Sequence, residues 1–325
     1  MKAIVYEKYG SVDQLQLREV EKPVPKENEV LIKIAAASVN SWDWDLLRGR
    51  PYIVRLGGFS KPKHPILGAD VAGIVEAIGS KVSRFKIGDK VYGDLCNSGW
   101  GGFAEYTTAH EKWIEPKPDF MNYQDAAAIP QAATMALQAL KDKVKVEKGQ
   151  KVLIIGAGGG VGSFAIQLAK LFGAEVCGVD HTDKLEFMKS LGTDQVIDYS
   201  YQGIDAHGKN YDLVIGVVGN QTLGEYRKVL APKGKYIMVG GNSSLILQSM
   251  FLGPFLSLFS SRKSGILAAK PNKGLDFLED LYQKKEVIPY IEKTYTLEDV
   301  PLAISHLKEG KAKGKLIITV DGQLT

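Results

Sequence analysis

Cysteine is nearly absent from this chain: Cys96 and Cys177 are the only two in 325 residues. Two cysteines cannot make a disulfide framework or a four-thiolate structural zinc site. An excess of one charge is missing too. Lys and Arg number 41 against 37 Asp and Glu, a net charge of +4. So small an excess argues against nucleic acid as a partner. No apolar run is long enough to span a membrane; the most apolar stretch, 245–259, is interrupted by Pro254. The N-terminus meets Glu7 soon after Ala3-Ile4-Val5 and reads as a strand, not as the apolar core of a signal peptide. The expectation is a cytoplasmic protein without a membrane span.

What is present has the balance of a folded protein. Hydrophobic residues make up 45% and charged residues 24%, which excludes disordered, collagen-like and coiled-coil chains. The length suggests two domains. Up to about residue 120, short strand-like runs (Val30 to Ile34, Val71 to Ile78, Lys90 to Gly93) alternate with turn formers such as Pro51, Pro65 and Gly88-Asp89. This pattern predicts a twisted β-fold without long helices. The pattern then changes. Asp125 to Lys143 has helical spacing, with Pro130 set to kink it or displace its start. Strands and helices alternate from Lys151 onward: Lys151 to Ile155, a helix from Val161 to Phe172, Glu175 to Val179, a helix from Lys184 to Leu191, then strands at Val196, Leu213 and Tyr236. This order predicts an α/β fold with a doubly wound parallel sheet. Near the C-terminus the pattern predicts a helix from about Lys273 to Lys284, a strand near 289–295, a helix starting at Thr296 with Asp299 three residues on, and a strand from Lys315 to Val320.

The sharpest local signal is Gly156-Ala157-Gly158-Gly159-Gly160-Val161-Gly162, which follows a buried strand and opens a helix. Glycine lets the backbone approach a pyrophosphate, and the free N–H groups of a helix N-terminus bind its charge. Gly156, Gly159, Gly160, Val161 and Gly162 are therefore candidate cofactor ligands. The next strand ends at Asp180, 18 residues after Gly162. A carboxylate there can accept both ribose hydroxyls and would repel a 2′-phosphate, so the cofactor is expected to be NAD(P)H with a preference for NADH. His181, Thr182 and Lys184 follow at once and offer phosphate contacts in the opposite sense. Asp180 as a simple helix cap stays open. Val218-Gly219 and Val239-Gly240 end later strands and should flank the cofactor, because ligands bind outside the carboxyl ends of such sheets.

Several stretches together resemble the medium-chain dehydrogenase/reductase superfamily, in its zinc-free quinone oxidoreductase-like branch. They are Ala36-Ala37-Ser38-Val39-Asn40-Ser41-Trp42-Asp43, Leu67 to Glu76, Gly88 to Gly93, Gly101-Gly102-Phe103-Ala104-Glu105-Tyr106, the glycine loop, and Gly314-Lys315. The resemblance implies a Rossmann dinucleotide-binding domain (122–263) inserted in a β-rich GroES-like catalytic domain (1–121 and 264–325), an active site in the cleft, and a homodimer. Zinc-dependent relatives carry a cysteine where this chain has Asn40 and a histidine where it has Ala69. No metal is expected. In similar proteins the position of Asn40 faces nicotinamide and substrate, Tyr52 matches a tyrosine lining the substrate cleft, and Thr134 matches a threonine under the nicotinamide. Asn40 and Tyr52 are the catalytic candidates, with a local turn and an ordinary half-buried tyrosine as their plain alternatives. Asp43 reads as structural.

Without a Lewis acid, hydride transfer to an electron-poor acceptor is favoured over alcohol oxidation. The expected activity is reduction of quinones or α,β-unsaturated carbonyls. An alcohol dehydrogenase with an unforeseen metal site and a dinucleotide-binding protein without turnover remain the alternatives. The 245–259 run reads as substrate cleft, interface or core, with a membrane-surface patch beside Arg262-Lys263 as a further reading.

Overall fold

The computed structural model describes residues 1–320 apart from Gly57, Lys209 and Asn220. They form two compact units. The first comprises Met1–Ala132, Pro271–Gln283 and the chain from Ile291 on; the second comprises Ala133–Lys270 and Lys284–Tyr290. The hand-overs thus fall at 132/133 and 270/271, where the sequence sets 121/122 and 263/264. The helix Tyr123–Ala128 packs on strands of the first unit. Lys263–Ile266 is a strand of the second unit's sheet.

The first unit is organised by the strand Glu29–Val39, buried along nearly its whole length. Both of its faces are covered, which is why it reads as a continuous apolar run rather than an alternation. Asp70–Ile78 pairs with it antiparallel along one edge. Its other edge is shared: residues 29–33 pair with Tyr106–His110, and residues 36–39 pair with Lys315–Thr319. Register shifts lie between Leu31 and Ile32 and between Ile34 and Ala36. Such irregularities bend a strand, and here they accompany the change of partner. The helix Ser41–Arg48 follows at once. The Asp43 carboxylate accepts from the Asn40 N–H at its start, and Gly49 ends it in the left-handed region at φ 62°.

The second unit holds a six-stranded parallel sheet. Its order is Gln195–Asp198, Glu175–Asp180, Lys151–Ile155, Tyr211–Gly216, Leu230–Met238, Lys263–Ile266. The chain winds outward first to one side of Lys151–Ile155 and then to the other, so the order reverses between that strand and Tyr211–Gly216. Ligand crevices form at such a reversal. The expected doubly wound sheet is therefore present, and the β-rich unit is the other of the two. Pro130 acts as a helix start: Tyr123–Ala128 stops before it and Pro130–Leu137 begins on it, since proline lacks the N–H a helix interior requires. The continuation, Gln138–Val144, is a π-helix closed by Lys145 at φ 59°.

One expectation fails near the C-terminus. The last helix begins at Val300, not Thr296. Thr296 still pairs with Thr319 in the sheet, and its hydroxyl donates to Asp299 at 3.0 Å in the intervening turn. Pro301 fits the first helical turn, where no N–H is needed. Among the described residues no helix is long and apolar enough to cross a membrane.

Gly73 marks the tightest strand-to-strand approach near the centre of the first unit. A Cβ there would lie 2.1 Å from the Lys33 carbonyl oxygen. Gly73→Ala should destabilise the unit by about 1–3 kcal/mol. That is several degrees in Tm for a unit of this size, measurable by calorimetry with the wild type as reference.

Candidate functional site

In the second unit the glycine loop runs from the end of Lys151–Ile155 into the helix Gly160–Leu171. Gly156 takes φ 79°, which favours glycine. At Gly162 a Cβ would lie 2.2 Å from the Gly156 carbonyl oxygen, so only glycine lets the helix press against the turn. Gly159 is the N-cap residue, and no side chain caps the helix. The first N–H groups, those of Gly160, Val161 and Gly162, are left for a ligand. Beside Gly159 the nearest atom to a built Cβ is a carbonyl oxygen at 3.6 Å, so the approach is open. This donor set fits the pyrophosphate of a dinucleotide. The neighbouring strand ends complete the rim. Val218 packs against Gly156, Gly240 lies close under the Val217 carbonyl, and the Val239 N–H donates to Gly216 at 2.8 Å. Gly219 sits against Leu245. The structure therefore gathers the predicted Gly156–Gly162, Val218–Gly219 and Val239–Gly240 positions at one edge of one sheet. Thr134 is buried in the helix Pro130–Leu137.

Asp180 occupies the end of Glu175–Asp180, as the sequence expects. It is already engaged. Its Oδ2 accepts from the Gly158 N–H at 2.9 Å, its Oδ1 accepts from the His181 N–H at 2.9 Å, and Lys184 Nζ lies 3.4 Å from Oδ1. Asp180 and Lys184 are both buried, and a Cβ on Gly158 would strike the Lys184 side chain at 2.7 Å. The sequence offers Lys184 as a free phosphate contact; the structure uses it to neutralise Asp180. The turn Thr182–Lys184 is the cause, since it brings the lysine back over the loop. His181 stays on the surface, with Nδ1 3.2 Å from Asp183. The Thr182 hydroxyl donates to Asp198. Three carboxylates thus surround this corner against one ammonium.

The first unit holds a buried polar cluster that sequence reasoning left unassembled. Lys315 is 2% exposed. Its ammonium donates to Asn40 Oδ1 at 2.6 Å and lies 3.8 Å from Asp70 Oδ2. Asn40 Nδ2 donates to that same Asp70 oxygen at 2.9 Å, and the Ser38 hydroxyl donates to it at 3.0 Å. The other Asp70 oxygen accepts from the Gln131 N–H. Asp43 accepts from the N–H groups of Asn40 and Gly68, at 2.7 and 2.9 Å. Asp94 accepts from the Cys96 N–H. Burial drives the Asp43 carboxyl up to about 7 against the two N–H groups that favour its charge. Burial raises Asp70 and Asp94 as well and pushes the Lys315 ammonium down, while ammonium and carboxylates draw each other back toward the charged forms.

Asn40 is therefore clamped. Its amide oxygen is held by an ammonium and one N–H by a carboxylate, leaving a single amide N–H to give. Asp43 is structural, as the sequence reads it. Tyr52 opens the short helix Tyr52–Arg55 and is exposed, not half-buried, with the guanidinium groups of Arg50 and Arg55 5.7 and 5.4 Å from its ring centre. Among the described residues no three His, Cys, Asp or Glu side chains are grouped to hold a metal ion. The residues missed by sequence reasoning are Lys315, Asp70 and Asp94. The available signal was a lysine opening the otherwise apolar strand Lys315–Thr319.

This geometry can be tested at both places. Gly162→Ala should abolish NADH binding, read by nicotinamide fluorescence, while the first unit keeps its own unfolding transition. Lys315→Met strips the buried carboxylates of their counter-charge and should cost about 3–5 kcal/mol. The pH dependence has a definite sign. Asp43 and Asp70 bind protons more tightly in the folded state, so their contribution is complete below the ordinary aspartate range and is lost as pH rises through about 7. The urea midpoint of the first unit should fall between about pH 5 and 8, and a flat profile would refute this account.

Residues 26–119 match the family described as "Alcohol dehydrogenase GroES-like domain", and residues 160–272 match "Zinc-binding dehydrogenase". The 2-methylene-furan-3-one reductase of Solanum lycopersicum is 36% identical over 330 residues, spanning 98% of this chain and 79% of that protein. The chloroplastic NADPH-dependent alkenal/one oxidoreductase of Arabidopsis thaliana is 36% identical over 250 residues, 74% of this chain and 63% of that protein. Among solved structures, the quinone oxidoreductase from Coxiella burnetii superposes with a TM-score of 0.89 at 29% identity, covering 99% of both chains. With this two-unit fold, this glycine loop and these relatives, the chain belongs to the medium-chain dehydrogenase/reductase superfamily, in its quinone oxidoreductase-like branch.

Proposed function

We propose that this protein is an NAD(P)H-dependent reductase that delivers hydride to quinones or to alkenes conjugated with a carbonyl, without a metal. The observation that carries the reading is the clamped Asn40 amide. It stands where zinc-dependent relatives keep a cysteine, and its oxygen is bonded to the Lys315 ammonium. An oxygen facing a cation is a poor metal ligand. The names of the relatives support the acceptor class: a methylene-furanone reductase and an alkenal/one oxidoreductase act on conjugated carbonyls, and the Coxiella protein is named for quinones.

The reduced nicotinamide, when bound, supplies the hydride. The chain's own residues do the rest. The N–H groups of Gly160, Val161 and Gly162 hold the pyrophosphate. Hydride arriving at a quinone or at the β-carbon of an enone leaves negative charge on the carbonyl oxygen. The free Asn40 N–H is the donor for that oxygen. Its bond from Lys315 polarises the amide and strengthens the remaining N–H, as chained hydrogen bonds do. One proton must also be delivered, to the oxygen of a hydroquinone or the α-carbon of an enolate. The exposed Tyr52 phenol takes this role and recovers its proton from water. At the adenosine end, Asp180, Asp183 and Asp198 outnumber Lys184, which supports NADH over NADPH. A cytoplasmic location and a homodimer, an assembly common in this superfamily, complete the reading.

The test is steady-state turnover of chelator-treated protein with NADH and NADPH, offered 1,4-benzoquinone and a panel of enones. Turnover that survives metal removal is expected; no oxidation with any acceptor, or activity restored only by zinc, would sink the proposal. Asn40→Ala should lower kcat by about tenfold to a hundredfold with little change in cofactor binding. Asp180→Ser frees Lys184 and removes one carboxylate, and should shift the NADPH/NADH ratio of kcat/KM upward by about tenfold or more.

A further inference from the structure

The loop after the helix Ser41–Arg48 carries cations without acids. Between Asp45 and Asp70 the sequence has Arg48, Arg50, Arg55, Lys61 and Lys63 and no Asp or Glu. Arg48 is neutralised, because its guanidinium donates to the Asp45 carboxylate. Among the described residues the other four form no ion pair. Two of them converge on Tyr52: the guanidinium groups of Arg50 and Arg55 lie 5.7 and 5.4 Å from its ring centre.

Arg55 is built into place. Its Nε donates to the Gly49 carbonyl at 2.9 Å, and its guanidinium lies 4.4 Å over the Tyr9 ring. The Tyr9 hydroxyl in turn donates to the Gly58 carbonyl, which ties the far end of the loop to the same ring. Gly49 leaves the arginine no spare room, since a Cβ there would lie 2.5 Å from Arg55 Nε. The rest of the fork is open. Among the described residues neither Nη of Arg55, no side-chain nitrogen of Arg50 and not the Tyr52 hydroxyl has a hydrogen-bond partner. Arg50 and Tyr52 are exposed.

Cations gathered without an acid repel one another, and Asp45 shows the ordinary remedy at Arg48. A guanidinium fixed by stacking and by one carbonyl bond, with its other nitrogens free, suits a planar oxyanion. The pyrophosphate of the cofactor has its own donors, in the glycine loop of the second unit. Tyr52 is the proton donor of the proposed reduction, so the ligand beside it is the acceptor. Leu56 and Phe59, 75% and 81% exposed, add apolar surface to the same loop. A small acid with an apolar body matches both features.

We propose that Arg50 and Arg55 select acceptors that carry a carboxylate a few bonds from the reacting alkene, so that conjugated keto acids are preferred over neutral enones. This rests on the reductase reading for the reaction and adds the class of acceptor. The test separates binding from turnover. 3-Benzoylpropionate and its methyl ester lack the alkene, and calorimetric titration of the NAD-loaded protein reads their binding alone. The acid should bind about tenfold more tightly than the ester, less so as salt is raised. Arg50→Gln and Arg55→Gln should each remove most of that preference, and Arg50→Lys should restore part of it. Arg50 is exposed, so its variants need no repacking and decide the matter if Arg55→Gln does not fold. With NADH, the ratio of kcat/KM for trans-3-benzoylacrylate to that for its methyl ester should fall in the same variants. Equal binding of acid and ester by the wild type overturns the proposal. So does a preference that Arg50→Gln leaves intact, or inorganic phosphate that displaces the keto acid at equal concentration. Preferential binding of the acid without oxidation of NADH by the benzoylacrylates or 1,4-benzoquinone would count against the reductase reading instead, so the two failures are told apart.

Discussion

The first unit depends on one buried ammonium. Lys315 is held by groups from Asn40 and Asp70, within a cluster that also includes Asp43, Asp94 and the Gln131 backbone. A buried charge without partners costs far more than any single apolar contact returns. Those partners come from early in the chain, whereas Lys315 comes from its last strand, after the whole second unit has been made. The strand Lys315–Thr319 must therefore return beside Glu29–Val39. This explains why that strand divides one edge between two partners. Its first half takes Tyr106–His110, and its second half is reserved for the returning chain. It also explains why Asn40 is so tightly placed, since the groups that satisfy the ammonium are the groups that fix the amide.

A similar device appears in the second unit. Asp180 takes the N–H of Gly158 and the ammonium of Lys184, as Asp43 takes the N–H of Gly68 within reach of the Lys315 charge. In both places an aspartate accepts from a glycine N–H and lies near a lysine whose charge opposes its own. The N–H groups left over are those at the start of Gly160–Leu171 and the last one on Asn40. Such surroundings suit chemistry in which an uncharged acceptor becomes anionic only during the reaction. Neutral donors held in place strengthen as that charge develops and need not reorganise.

Sequence could reach some of this and not the rest, for physical reasons. The glycine loop was legible because backbone geometry dictates it: Gly156 needs its positive φ and Gly162 has no room for a Cβ. The break at Pro130 was legible because a missing N–H is a local fact. The direction of Lys184 was not legible because it depends on the turn Thr182–Lys184, which brings the ammonium to Asp180. Thr296 and Asp299 do form a hydrogen-bonded turn, yet sheet pairing holds Thr296 extended and delays the helix. The Lys315 cluster was out of reach because Asn40 and Asp70 lie more than two hundred residues away, and the one local signal, a lysine opening an apolar strand, does not name its partners.

The same limit applies to charge. A net of +4 argued against nucleic acid and said nothing of where the charges lie, because composition averages over the chain. The average conceals a long stretch without a single acid, wrapped around helices whose bulky residues face outward. Each feature alone has an ordinary explanation: basic residues are common at a sheet edge, and single exposed leucines need none. Their coincidence on one segment is what a soluble monomer would avoid. The small buried stripe of Leu245, Ser249 and Gly253 keeps the segment seated with its apolar side outward.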